Sequence, residues 1–309
     1  FPEQEQQPPG STTAMNPVPD HGEDTWVGRD RLVGLKALIT GGDSGIGRAV
    51  AIAFAREGCD VALSYLSEEQ SDAEDVARLV EEAGRRCVLL PGDLQDESTC
   101  RQVVDEAAEQ LGGLDVLVNN AGFQWGRRNS GLADLETEEM DRVFRTNLYG
   151  LFWVTQQALE HLGEGASIIN VSSIQAYDPS TALIDYAATK AAINNFTVNL
   201  AAEVGPKGIR VNAVAPGPIW TPLQPATKKG ESMPKFGEDT PLGRAGQPSE
   251  LAGAFVYLAS PAEASYVSGT VRGVTGGKPV FGPTHGGRGV DDATAPARPG
   301  PGLRVAVWG

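Results

Sequence analysis

Short apolar runs alternate with longer amphipathic stretches through most of the chain. Six such runs, at 36–40 (KALIT), 60–64 (DVALS), 86–92 (RCVLLPG), 114–120 (LDVLVNN), 167–173 (SIINVSS) and 209–217 (IRVNAVAPG), each stop in or against Gly, Asn or Ser. A strand covered on both faces needs apolar residues at nearly every position, so these runs predict buried parallel strands. Between them, stretches such as GRAVAIAFAREG and EEQSDAEDVARLVEEAG carry apolar residues at helical spacing and end at Gly58 and Gly84, where helix stops are expected. Strand then helix, six times over, predicts an α/β fold with a doubly wound parallel sheet of the Rossmann type. A late run at 269–277 supplies the expected seventh strand.

The two ends break this pattern. Residues 1–30 are polar and hold Pro2, Pro8, Pro9, Pro17 and Pro19, so they form no apolar face and predict an arm, disordered or laid extended along the body or a neighbouring subunit. Residues 279–309 form a Gly/Pro-rich tail that is expected to be disordered. The 31–278 body is then a single domain. With 309 residues, 40% hydrophobic, 6% aromatic and 38 Gly, the composition suits a nucleotide-type α/β protein better than a β-sandwich.

Charge narrows the partners. A net charge of −15 repels phosphate backbones and anionic lipid, so neither nucleic acid nor a membrane surface is expected. No run of apolar residues is long enough to span a bilayer, and the FPEQEQQPPG start is unlike a secretory signal. Cys59, Cys87 and Cys100 are far apart, and His21, His161 and His285 are isolated. That predicts reduced thiols, a cytoplasmic setting, no metal site and no histidine-based triad.

Three motifs carry chemistry. The first strand runs into Gly41-Gly42-Asp43-Ser44-Gly45-Ile46-Gly47 and then a helix. A Gly-rich turn at that point lets backbone approach a pyrophosphate at the helix N-terminus, and no Lys-Ser/Thr follows to make it a P-loop. Asp93-Leu94 closes the third strand and Asn119-Asn120-Ala121-Gly122 the fourth. Small and amide residues there suit a flat adenine and its ribose, with Asp93 accepting from an amino group, although Asn at a strand end also forms turns. Tyr186 and Lys190 are four apart, one helical turn on one face. The pair alone is only moderately specific. Ser173, thirteen residues upstream at the end of the fifth strand, and Asn147 in a preceding helix belong to elements that converge on the same sheet edge.

Together these motifs resemble the short-chain dehydrogenase/reductase family over about residues 32–278. TGGDSGIG is similar to its cofactor loop, NNAG to its fourth-strand motif, and Asn147, Ser173, Tyr186 and Lys190 to its catalytic tetrad. PGPIWT is similar to the motif after the sixth strand, which implies that Pro216, Gly217, Ile219 and Thr221 meet the nicotinamide end. The PPG and NPVPDHGE arm, SIQAY, DYAATKAA, PGPIWTPLQP and PLGRAGQP resemble the glucose/ribitol-dehydrogenase-like branch.

The resemblance implies hydride transfer between a nicotinamide cofactor and a carbonyl or alcohol carbon of an aldehyde, ketone, sugar or polyol. Tyr186 is then the general acid/base, Lys190 favours its phenolate and binds the nicotinamide ribose, Ser173 bonds the substrate oxygen, and Asn147 holds a water. The thirteen-residue spacing selects Ser173 over Ser172. Gln175, Tyr177 and Trp220 flank the expected substrate position. At the end of the second strand, Ser64-Tyr65 stands where NAD-binding relatives carry a carboxylate, but no Arg or Lys follows. The balance leans to NADP(H), with NAD(H) tolerated. A homo-oligomer, a tetramer as in similar proteins, is also implied. The alternative from another class is a non-catalytic dinucleotide sensor on the same fold. An enoyl reductase would carry a longer Tyr-to-Lys spacing.

Overall fold

The computed structural model describes residues 1–128 and 131–281. Seven strands, β1 (Lys36–Thr40), β2 (Asp60–Tyr65), β3 (Cys87–Pro91), β4 (Val116–Asn119), β5 (Ser167–Val171), β6 (Arg210–Pro216) and β7 (Val271–Val274), form one sheet. Its order is β3-β2-β1-β4-β5-β6-β7, and every neighbouring pair is parallel. The helices are α1 (Gly45–Arg56), α2 (Gln70–Glu82), α3 (Glu97–Leu111), α4 (Thr137–Phe144), α5 (Gly150–Ala158), α6 (Ile184–Val204), the short α7 (Leu223–Thr227) and α8 (Ser249–Ala259).

Strand alternation sorts the apolar residues into two cores. Ala37, Ile39, Val61, Leu63, Val116 and Val118 pack with Val50, Phe54, Val76, Leu251 and Phe255 of α1, α2 and α8. Their neighbours Leu38, Ala62, Leu117 and Ile168 face the opposite layer, with Val104 of α3, Val154 of α5 and Leu200 of α6. Because both faces are covered, the strands carry no polar alternation. β1 matches its expected run and β2 extends one residue past it, whereas β3 to β7 end one to three residues inside theirs, since the flanking residues belong to the turns.

Two details position the site. Chain order reverses between β1 and β4, and such a switch point opens a crevice at the carboxyl ends of the strands. Between α4 and α5 the backbone makes a π-helical turn, Arg145–Tyr149, so Asn147 sits at a local widening of helix and not in regular α-helix.

Residues 1–30 lie against this body with no helix or strand of their own. The buried Glu57 carboxylate, at the end of α1, accepts the Arg29 and Arg31 backbone N–H groups, the Trp26 indole and the Arg31 guanidinium. The tail beyond residue 281, with His285, lies outside the described residues.

Candidate active site

The turn after β1 is shaped by what its glycines touch. At Gly45 the backbone has φ +51°, and a Cβ would lie 3.0 Å from the Thr221 methyl group. At Gly47 a Cβ would lie 1.9 Å from the Gly41 carbonyl oxygen, so only glycine lets α1 pack this close to the strand. Asn120 donates its side-chain amide to the carbonyls of Thr40 and Gly41, at 3.0 and 2.8 Å, which ties the turn to the end of β4. The first turn of α1 has no acidic residue, and Ser44 makes no side-chain cap, so the helix N–H groups are left for an anion.

A cleft runs from this turn along the carboxyl edge of the sheet, with about 1350 Å³ of space including its open mouth. Its wall contains Gly41, Asp43, Ser44, Gly45, Ile46, Tyr65, Asp93, Leu94, Ala121, Gly122, Pro216, Gly217, Ile219 and Thr221, together with Ser173, Tyr186 and Lys190. These expected residues come from six strand ends and from α6, and the fold brings them to one place.

Other expected residues are placed elsewhere. Gly47 packs helix against strand, as above. Asn119 is buried and bonds Thr155 and Asn170, both at 2.9 Å, forming a polar link between β4, β5 and α5, and Asn120 takes its place on the wall. Trp220 is corrected outright as a substrate contact. It is 0% exposed, stacks on Phe1 at 3.8 Å and donates its indole N–H to the Pro17 carbonyl at 2.8 Å, so it faces the arm. Gln175 and Tyr177 do not line the cleft either, and the Gln175 side chain accepts the Ser180 N–H at 2.7 Å. Asn147 stands behind the wall. Its Oδ1 accepts the Phe123 N–H at 2.7 Å, and its Nδ2 donates to the Phe123 carbonyl and to Thr189 Oγ1. Its amide is therefore taken up in holding the 121–123 backbone against α6.

At the far end, Tyr186 and Ser173 share the cleft wall, and the Ser173 hydroxyl is near enough to ease the phenol's ionisation. Ser173 Oγ also accepts the Gln175 N–H at 3.1 Å, which leaves its own proton to donate. Lys190 is 3% exposed, donates Nζ to the Val171 carbonyl at 2.8 Å, and lies 5.3 Å from the centre of the Tyr186 ring. Burial pushes the Tyr186 phenol up to about 12, and the Ser173 hydroxyl offsets this only in part. Burial likewise pulls the Lys190 ammonium down to about 8. Ser172 donates to the Lys190 carbonyl at 3.1 Å, fastening α6 to β5. Asp185, next to Tyr186, forms a buried two-pronged pair with Arg128 at 2.9 and 2.7 Å, and Arg128 also holds Glu139.

The near end is acidic. Asp43, 1% exposed, and Glu69 both line the cleft beside Ser64 and Tyr65. Burial first, and the charge of Asp72 after it, pushes the Asp43 carboxyl up to about 6. Burial and the charge of Asp43 push Glu69 up to about 8. Asp43 Oδ2 and Ser64 Oγ are buried with no hydrogen-bond partner, an arrangement that fits hydroxyl groups of a bound ribose. Glu69 escaped the sequence pattern because it lies beyond the end of β2, and a 3-10 turn, Ser67–Glu69, carries it back to the wall. Among the described residues, no group of three His, Cys, Asp or Glu side chains is arranged to hold a metal ion.

A glycine turn at a free helix N-terminus, joined by one cleft to a Ser-Tyr-Lys cluster, invites comparison with known proteins. The family model described as enoyl-(acyl carrier protein) reductase matches residues 41–278. The uncharacterized oxidoreductase YhxD of Bacillus subtilis is 56% identical over 284 residues, covering 91% of this chain and 94% of that one. The chain belongs to the short-chain dehydrogenase/reductase family. It is an NAD(P)-dependent oxidoreductase. The glucose and ribitol dehydrogenase of Daucus carota is 43% identical, covering 91% of this chain and 98% of its own. The NADPH-dependent aldehyde reductase 1 of Arabidopsis thaliana is also 43% identical, covering 88% and 96%. A short-chain dehydrogenase from Burkholderia cenocepacia, solved in complex with NADP, superposes with a TM-score of 0.74 at 35% identity, covering 80% of this chain and 99% of that one.

Proposed function

We propose that this enzyme reduces aldehyde, ketone or sugar carbonyls, and in reverse oxidises the corresponding alcohols or polyols, with Tyr186 as the group that passes the proton. The observation that carries this reading is that Ser173, Tyr186 and Lys190 meet on one cleft wall, with Lys190 Nζ 5.3 Å from the centre of the Tyr186 ring. The nicotinamide cofactor supplies the hydride chemistry when bound. Ser173 donates to the substrate oxygen as charge grows there, and Tyr186 gives that oxygen its proton. A phenol pushed up to about 12 keeps its proton at neutral pH and so has it to give to the substrate oxygen. Lys190 holds positive charge beside the phenol. Asn147 acts by fixing the cleft backbone against α6. The four-residue step from Tyr186 to Lys190 favours carbonyl over enoyl reduction.

For the cofactor, NADP(H) is the reading that the names of the Arabidopsis and Burkholderia proteins support, with NAD(H) also accepted. Glu69 does not oppose it at neutral pH, because a carboxyl pushed up to about 8 is protonated there and free to donate. Three unpaired thiols support a cytoplasmic setting. No helix among the described residues is long and apolar enough to cross a membrane. Exposed Tyr149, Phe152 on α5 and Val198 on α6 support a homo-oligomer, proposed as a tetramer, closed through apolar surface. Phe152→Glu is then expected to yield smaller species in sedimentation.

The test of the mechanism is consumption of NADPH or NADH with a panel of aldehydes and sugars. Tyr186→Phe keeps the ring and is expected to lower turnover by roughly two to four orders of magnitude, the range of a general acid. Cofactor affinity should stay within about twofold, since no charge or ring is lost. A Phe variant that keeps most of its activity leaves a dinucleotide sensor, or another acid, in its place.

A further inference from the structure

We infer that the N-terminal arm is a wall of the cofactor site: Pro8 and Pro9 close the cleft over the bound dinucleotide, which enters and leaves when the arm lifts. This rests on the cofactor reading above and adds to it residues from outside the dehydrogenase body.

The arm crosses the mouth of the cleft from one lip to the other. On the lip formed after β6, Glu5 accepts the Gly230 N–H at 2.7 Å, and the Gln6 N–H donates to the Pro225 carbonyl at 2.9 Å. Arg127 locks that contact, donating one nitrogen to the carbonyls of Gln6, Pro225 and Ala226 at 2.7 to 3.0 Å. On the opposite lip, the Thr12 N–H donates to the Asp72 carboxylate on α2 at 2.8 Å, a buried bond. Between these two anchors, Pro8 and Pro9 line the same cleft as the glycine turn, Tyr65 and Glu69. At Gly10, φ is +88° and a Cβ would lie 3.0 Å from the Pro222 carbonyl, so the arm is pressed onto the segment that also carries Ile219 and Thr221. The stack of Phe1 on Trp220 and the cluster of Met15, Trp220 and Met233 fasten the arm further out.

The chemistry suits a wall. Proline has no N–H and a fixed φ, so a proline pair presents a stiff apolar surface that makes van der Waals contact and does not compete for the ligand's hydrogen bonds. The anchors are side-chain and loop contacts that take no part in the ladder of the sheet, so the 6–12 strap can lift without unfolding it. Because the strap bridges both lips, its loss acts first on the rate at which cofactor escapes.

NADH and NADPH are the probes, read by nicotinamide fluorescence in stopped flow and without any carbonyl substrate. Pro8→Gly with Pro9→Gly, and separately Thr12→Pro, which removes the N–H to Asp72 together with the Thr side chain, are expected to raise the dissociation rate about tenfold with little change in association. On the unmodified protein, hydrogen exchange at the Gln6 and Thr12 amides is expected to slow when cofactor is added, a readout that survives even if a variant folds poorly. Gly45→Val, which fills the turn, serves as the control. If the unmodified protein binds neither cofactor, the cofactor reading itself fails. If it binds and Gly45→Val does not, while both arm variants release cofactor at the original rate or the two amides exchange unchanged, the arm inference is overturned.

Discussion

The two ends of the cleft both shift buried ionisable groups toward their neutral forms, groups of opposite sign, with burial the main cause at each and neighbouring carboxylates adding to it only at the turn end. At the turn end, Asp43 and Glu69 are pushed up by burial and by each other's neighbourhood of carboxylates. At the Tyr186 end, Lys190 is pulled down by burial, its Nζ held by the Val171 carbonyl. The turn end is assembled from segments close in sequence, 41–47 and 64–69. The Tyr186 end depends on residues from β5, α6 and the 123–128 loop. Glu69 and Lys190 change charge in the same window, near pH 8, and both changes make the cleft less welcoming to an anionic dinucleotide. Proximity of like charges and plain desolvation thus converge on one pH response.

The comparison is broken most sharply at Lys190. Lys190→Ala should lower turnover by roughly two orders of magnitude or more and also weaken cofactor binding, since the cation leaves both the phenol and the ligand. Turnover of the unmodified enzyme should fall as pH rises above about 8, where Lys190 loses its proton. If Lys190→Ala impairs only turnover, the shared role assigned to it is wrong.

Next in size is the frame of that end. Asp185→Ala leaves Arg128 buried without its two-pronged partner and should cost about 3–5 kcal/mol of stability in denaturant titration. Asp43 and Glu69 should keep their pH response in this variant, because they lie at the other end of the cleft.

Glu69→Gln tests the turn end. A carboxyl raised in the folded state stabilises the fold below its unfolded value of 4.5, and that contribution is lost as pH rises through about 8. Melting temperature without cofactor should therefore decline across pH 4.5 to 8, and the decline should flatten in Glu69→Gln. The NADPH-to-NADH preference of the unmodified enzyme should drop above pH 8 by a few-fold, and the Gln variant should lose that dependence. A melting profile with the same slope in both proteins would remove Glu69 from the account.

The smallest effect separates neighbouring serines. Ser173→Ala should lower turnover by an order of magnitude or more at nearly constant cofactor affinity, because its hydroxyl faces Tyr186. Ser172→Ala loses one bond to the Lys190 carbonyl and should cost only about 1 kcal/mol of stability. Equal losses of turnover in the two variants would undo the assignment.

Much of this site was legible along the chain. The apolar runs predict the seven strands because a doubly covered strand leaves no room for polar positions, and the glycine turn is readable because only glycine tolerates the contacts at 45 and 47. The Tyr186–Lys190 step is readable because helical spacing alone puts them on one face. Asn119 and Asn120 were not separable. Adjacent residues leaving a strand point to opposite sides, and only the packing of Thr155 and Asn170 shows which one is turned inward. Trp220 was misread for a related reason, since nothing in PGPIWT reveals that Phe1 and Pro17, some two hundred residues away, enclose its ring.

The sequence by itself determined the sheet, the turn and the helix that carries Tyr186, because these follow from local periodicity and from steric demands on single residues. Tertiary structure alone decided that Glu69 joins Asp43 at the cleft, that Asn147 is spent on the Phe123 backbone, and that an arm with no periodicity of its own crosses the cleft mouth. The physical reason is that these outcomes depend on long-range contacts and desolvation, which are set by where distant segments meet and leave no mark on the spacing of residues along the chain.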